Sequence, residues 1–135
     1  MNSFKITFPS HPKWLRHIRR IVRELCILAC YKPKEVDHLV LAVDEACTNI
    51  IRHSYKGRTD RVIILECQSN PKQLQFILRD KGCTVDCKKI KSRCLDEIKP
   101  GGLGVFFIHR MMDKVVYGRS RGMNFLRLTK YAKKK

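Results

Sequence analysis

Apolar and polar positions change period several times along this chain, and each change marks an element. Residues 4–8 (FKITF) alternate weakly with period two, which predicts a short strand, and Pro9 and Pro12 close it. From 13 to 30 the apolar residues recur at three and four. Trp14, Ile18, Ile21, Leu25 and Leu28 form the stripe of a helix, with Leu15, Val22 and Ala29 beside them. Tyr31-Lys32-Pro33 breaks that helix, and Pro33 suits the start of the next. Residues 33–54 carry the clearest stripe: Val36, Leu39, Val40, Val43, Cys47, Ile50 and Ile51. Asp44, Glu45, Thr48, Asn49, Arg52 and His53 fall outside it. Residues 61–68 and 73–79 read as strands joined by a hairpin at Asn70-Pro71-Lys72.

Residues 80–101 are polar and basic and predict a long loop. A third helix is expected over 103–113, with Val105, Phe106, Ile108, Met111 and Met112 as its apolar positions. Strands at 114–119 and 123–131, joined at Gly122, complete the chain. The order β-α-α-β-β-α-β-β predicts an α+β fold. It is a two-layer α/β sandwich with three helices on one face of a mixed, mostly antiparallel sheet.

Composition narrows the class. A chain of 135 residues with 44% apolar content is one domain, 1–135, able to bury a core and too apolar for a disordered tail. No apolar run approaches the roughly 18 residues of a membrane span. The N-terminal residues lack the charged, apolar and small-residue regions of a secretory signal. The seven cysteines are odd in number and several sit inside apolar stripes, which predicts reduced thiols in a cytoplasmic protein. Cys83, Cys87 and Cys94 are not spaced like the ligands of common zinc sites.

The formal charge of +17 raises nucleic acid, an anionic surface or an acidic protein as partners. The basic residues are spread over the first helix, the long loop and the tail, and no nucleic-acid-binding motif accompanies them, so nucleic acid is a secondary reading. Arg16, Arg20 and Arg23 share one helix face. That face is either solvated or a dock for an acidic partner.

Three segments could carry chemistry. Glu45 and Asn49, four apart, point the same way on one helix, as would any polar outer face. Asp80-Lys81-Gly82 puts a carboxylate at a strand end before a glycine, a functional rim or an ordinary turn. Gly101-Gly102-Leu103-Gly104 opens a helix, where backbone N–H groups can approach an anion or merely form a flexible junction.

These segments match a known family in order. VDEACTNIIRHSY (43–55) resembles the N box of the GHKL ATPase superfamily. LRDKG (78–82) and PGGLGVFFIHRMMD (100–113) resemble its two glycine boxes. The whole is most similar to the stand-alone bacterial anti-sigma factors that are also serine protein kinases. The E-A-x-T-N-x-x-x-H core stands as Glu45, Ala46, Thr48, Asn49 and His53.

The resemblance implies a Bergerat-type ATP-binding fold using ATP and Mg²⁺. Glu45 would be the general base, and Asn49 the Mg²⁺ ligand. Asp80 would take the adenine amino group, with Gly82 giving close approach. Gly102, Leu103 and Gly104 would cradle phosphate, and His53 would join the nucleotide site. Thr129 would line the adenine pocket. Residues 83–101 would form a lid whose Lys99 stabilises the transferred group. Thr84 departs from the family, which often has glycine there.

The implied function is a serine/threonine protein kinase and anti-sigma factor. It would phosphorylate a STAS-type anti-anti-sigma protein and sequester a sigma factor, and homodimers are common in the family. Two other readings remain: a non-catalytic ATP-gated binding module and a basic nucleic-acid-binding protein.

Overall fold

The computed structural model describes residues 2–82 and 100–132, with side chains from 105 onward in the second stretch. Among these residues the elements run β1 (Asn2–Pro9), α1 (Leu15–Leu28), α2 (Pro33–Asn49), β2 (Val62–Asn70), β3 (Gln73–Asp80), α3 (Pro100–Met111), β4 (Lys114–Ser120) and β5 (Met123–Tyr131). The strands form one sheet in the order β1-β2-β3-β5-β4. Every adjacent pair is antiparallel.

The sheet is therefore antiparallel throughout, not mixed as the sequence pattern predicts. β3 and β4 run parallel, yet β5 turns back and inserts between them. The turn that returns β5 is tight: Arg121 and Gly122 have φ of 53° and 76°, the paired left-handed residues of a two-residue hairpin that follows the sheet's twist.

Strand alternation decides which side faces the helices. Ile63, Leu65 and Cys67 of β2, Leu74, Phe76 and Leu78 of β3, and Leu126 and Leu128 of β5 are buried in one core cluster. Val22 and Cys26 of α1, Leu39, Val43 and Cys47 of α2, and Ile108 of α3 fill the same cluster. Burial pushes the Cys26 and Cys67 thiols up to about 12, so both behave as apolar core residues rather than nucleophiles. The opposite sheet face carries the Arg79–Glu66 ion pair at 2.8 Å, and that arginine holds the Glu66 carboxyl below its usual range.

The helix ends explain how the layer is assembled. His11 caps a short 3₁₀ turn (Pro12–Trp14) by accepting a hydrogen bond from the Lys13 N–H. Cys30, with φ of 66°, ends α1. The Tyr31 N–H donates to the Cys26 carbonyl and the Cys30 N–H to that of Ile27, the paired bonds of a Schellman turn. The second predicted helix is α-helical only to Asn49. Residues Ile50–Ser54 continue as a π turn, in which the Tyr55 N–H bonds to the Ile50 carbonyl at 2.9 Å. Such a turn shifts the register of the residues after it, and it delivers Ser54 to the end of β3. No helix among the described residues is long and apolar enough to cross a membrane.

Candidate nucleotide site

The centre of the site is a buried polar cluster where β3 ends. Asp80, Ser54 and Asn124 are each only 4% exposed. Buried polar groups of this kind must find partners, and these find one another. The Asp80 Oδ1 accepts hydrogen bonds from the Ser54 hydroxyl, the Gly82 N–H at 2.8 Å and Asn124 Nδ2 at 3.0 Å. Among the described residues all its hydrogen bonds fall on that oxygen, which leaves Oδ2 as an acceptor.

Gly82 packs against Ser54 so closely that a Cβ there would run into the Ser54 Oγ and main-chain carbonyl. The glycine expected for close approach is therefore required sterically. Beside it, Tyr55 straps the loop: its hydroxyl accepts from the Lys81 N–H at 2.9 Å and donates to the Val62 carbonyl.

Glu45 and Asn49 lie half-buried in the last turns of α2, directly upstream of the π turn that ends at Ser54. Neither side chain makes a hydrogen bond or ion pair with the described residues. Their neighbours are spent: Asp44 pairs with Arg19 at 3.0 Å, and the Thr48 hydroxyl donates to the Asp44 carbonyl at 3.0 Å. His53 is exposed on the π turn. Gly102, Leu103 and Gly104 lie inside the first turns of α3, which starts at Pro100 rather than at 103. A helix start there still offers unpaired backbone N–H donors and the positive end of its dipole.

One expected residue is elsewhere. Thr129 is buried, but alternation along β5 turns it to the sheet face away from Asp80. There Gln75 Nε2 donates to its hydroxyl at 3.2 Å. The residue facing Asp80 across the β3–β5 pair is Asn124. Asn124 and Ser54 were missed because their placement depends on a pairing 44 residues apart and on a π turn. Lys99, Thr84, Cys83, Cys87 and Cys94, with nearly all of the expected lid, lie outside the described residues.

The donor set fits a nucleotide: an acceptor oxygen at the end of β3 for a purine amino group, then an unspent amide and carboxylate, then a helix start for phosphate. No group of three or more metal-binding side chains occurs among the described residues. Mg²⁺ needs none, since it is commonly held by one or two side chains plus substrate phosphates.

Comparison with known proteins shows the family. The histidine kinase-like ATPase domain family matches residues 8–130, and the chain belongs to that family, whose members use ATP. Within it, the chain falls among the serine-protein kinases called RsbW. It is 30% identical to that of Staphylococcus aureus (strain MRSA252) over 74% of this chain and 68% of the relative. It is 27% identical to that of Bacillus subtilis over 91% of this chain and 81% of the relative.

The fold is similar to two solved structures. One holds the RsbU and RsbW domains of a Mycobacterium tuberculosis protein, with a TM-score of 0.70 at 14% identity, covering 99% of this chain and 34% of that one. The other is the SiaB–SiaC complex of Pseudomonas aeruginosa, with a TM-score of 0.67 at 16% identity, covering 93% of this chain and 88% of that one.

Proposed function

We propose that this chain is an ATP- and Mg²⁺-dependent serine/threonine protein kinase acting as an anti-sigma factor. It phosphorylates a STAS-type antagonist and sequesters a sigma factor, switching between the two. The observation that carries the reading is the buried Asp80, with its unspent Oδ2, beside Gly82 and bonded to Ser54, which lies one π turn downstream of Glu45 and Asn49.

In this reading Asp80 Oδ2 accepts from the adenine amino group and Gly82 lets the ring approach. The Asn49 amide oxygen holds Mg²⁺, and the α3 start receives the phosphates through Gly102, Leu103 and Gly104. His53 joins the same site, and the family resemblance assigns Lys99 to the transferred group. Bound Mg-ATP supplies the phosphoryl group. Glu45 accepts the proton of the attacking hydroxyl, and orientation by the surrounding groups does the rest, as in phosphoryl transfer generally. The family membership supports ATP use. The names of the RsbW relatives support the kinase activity.

The test is a titration with an ATP analogue, with and without Mg²⁺, followed by phosphate transfer to a STAS-domain protein. Saturable, Mg²⁺-dependent binding with transfer is the expected result. Binding without transfer would instead favour the ATP-gated module. Asn49→Ala is expected to weaken Mg-ATP binding about tenfold, or about 1.4 kcal/mol, and to leave metal-free binding unchanged. Equal affinity with and without Mg²⁺ in the parent would remove Asn49 from the metal.

The first helix suits the partner role. Arg19 and Arg23 are paired with Asp44 and Asp37, at 3.0 and 2.8 Å, and so brace α1 against α2. Arg16 and Arg20 line the same groove beside Val40, exposed and with no carboxylate partner among the described residues. Trp14, 38% exposed, stands one turn earlier. Arginine and tryptophan are the residues that most often anchor an interface, and the charge selects an acidic partner surface. Reversing both charges (Arg16→Glu with Arg20→Glu) is expected to weaken partner binding at least about tenfold while ATP affinity holds. Unchanged partner affinity at low salt would move the dock off this face.

A further inference from the structure

The Asp80 cluster continues outward through Asn124 to the exposed Arg119. Among the described residues, Asn124 uses both ends of its amide. Its Nδ2 donates to Asp80 Oδ1 at 3.0 Å, with longer approaches to Ser54 Oγ at 3.4 Å and the Gly82 carbonyl at 3.5 Å. Its Oδ1 accepts from Arg119 Nη1 at 3.0 Å. Arg119 Nη2 donates in turn to the Gly122 carbonyl at 3.3 Å, inside the β4–β5 turn.

This arrangement fixes the amide. A guanidinium can only donate, so the oxygen of Asn124 must face Arg119 and its NH₂ group must face the carboxylate. The flipped amide would put a donor against a cation and an acceptor against an anion. A charged group on the exposed rim thus sets the orientation of a buried one.

We propose that Asn124, oriented by Arg119, is a positioning residue for base selection: with Ser54 it pins Oδ1 of Asp80, so that only Oδ2 meets the purine. The inference rests on the nucleotide reading above and deepens it. A carboxylate turned this way presents an acceptor to C6 of the base. It favours an exocyclic amino group, as in adenine, and opposes a carbonyl oxygen, as in hypoxanthine or guanine. A site built to bond a particular donor discriminates sharply, because an analogue without that donor leaves a buried group unpaired. Without Asn124 the Oδ1 keeps only the Ser54 hydroxyl and the Gly82 N–H, and the carboxylate is held less firmly with Oδ2 toward the base.

The hydrogen-bond chain also separates positioning from simple support of the fold. Arg119 is exposed, so Arg119→Met keeps the aliphatic stem and removes only the guanidinium. Asn124→Leu keeps volume and removes the donor. Asn124→Thr returns a hydroxyl donor to the same position.

The experiment is calorimetric titration of the full chain with ATP and with ITP, whose base has a carbonyl in place of the C6 amino group and, with it, a hydrogen on N1. The parent is expected to prefer ATP. ATP affinity is expected to fall about threefold in Arg119→Met and about tenfold or more in Asn124→Leu, with ITP affinity within about twofold of the parent in both. Asn124→Thr is expected to recover most of the ATP preference. An equal loss for both nucleotides, or a preference for ATP kept intact in Asn124→Leu, overturns the inference and leaves the ATP reading standing. A folded parent that binds neither nucleotide overturns the ATP reading, and this inference with it.

Discussion

Glu45→Gln is expected to reduce phosphate transfer by roughly a hundred- to ten-thousand-fold, the usual contribution of a positioned general base, while ATP affinity stays within about twofold. The structure makes this a clean substitution. Glu45 is half-buried near the end of α2 and makes no hydrogen bond or ion pair with the described residues, so no structural partner is lost. Glutamine has nearly the same shape and helix propensity. It keeps the hydrogen-bonding capacity of the side chain and removes its ability to take a proton.

Single-turnover transfer to a STAS-domain protein at saturating ATP reads the chemical step separately from binding. Transfer at the parent rate would remove Glu45 from the mechanism. Loss of ATP binding in step with transfer would make it a binding residue instead. Glu45→Asp provides an internal scale: it restores the carboxylate but shortens the reach, and should recover only part of the rate, because proton transfer depends on approach to within hydrogen-bond distance.

What could be read from the sequence, and what could not, divides by the range of the interactions involved. The stripe of Val36, Leu39, Val40, Val43 and Cys47 predicted α2, and all five are buried there. The helix spacing of Glu45 and Asn49 survived because it depends on local geometry alone. Asp80 and Gly82 were identified by a strand end and a turn, and both enter the cluster. The errors are non-local. Thr129 has the right side chain at the wrong parity: alternation along β5 puts it beside Gln75, and the β3–β5 register brings Asn124 to Asp80 instead. A one-residue difference in position exchanges the two faces of a strand, and no local pattern in 123–131 reports that register.

The π turn was equally hidden. Residues 50–54 continue the apolar stripe of α2, so periodicity extends the α-helix through them, whereas their backbone follows the wider turn that carries Ser54 to Asp80. The expectation of a mixed sheet failed in the same way: β5 returns between β3 and β4, so every hydrogen-bonded pair is antiparallel, and insertion of a returning strand leaves no local mark in the sequence.

The π turn also ties the two ends of the site together. Asn49 closes α2, and five residues later Ser54 is bonded to Asp80. The proposed base-binding and metal-binding ends are therefore joined by a single short segment. Gly82 stands where that segment meets the end of β3. Gly82→Ala tests the junction. The added methyl would meet the Ser54 side chain and, more seriously, its main-chain carbonyl. Side chains can rotate away from such a clash and backbone cannot do so cheaply.

Either Ser54 is pushed off Asp80, or Gly82 shifts and its N–H, now 2.8 Å from Oδ1, leaves the carboxylate. Both outcomes disturb the groups that pin Asp80. Overpacking of this kind costs about 1–3 kcal/mol of stability, read as a lower midpoint in denaturant unfolding. ATP affinity is expected to fall at least about tenfold, because loss of one bond to a charged acceptor already accounts for that factor. Adding Ser54→Gly removes the hydroxyl but leaves the carbonyl, so the double substitution should remain impaired. Full recovery in the double variant would show that only the hydroxyl had been in the way. Parent-like ATP binding in Gly82→Ala alone would show that the chain after Asp80 moves aside freely, and that a glycine is not needed for the base to approach.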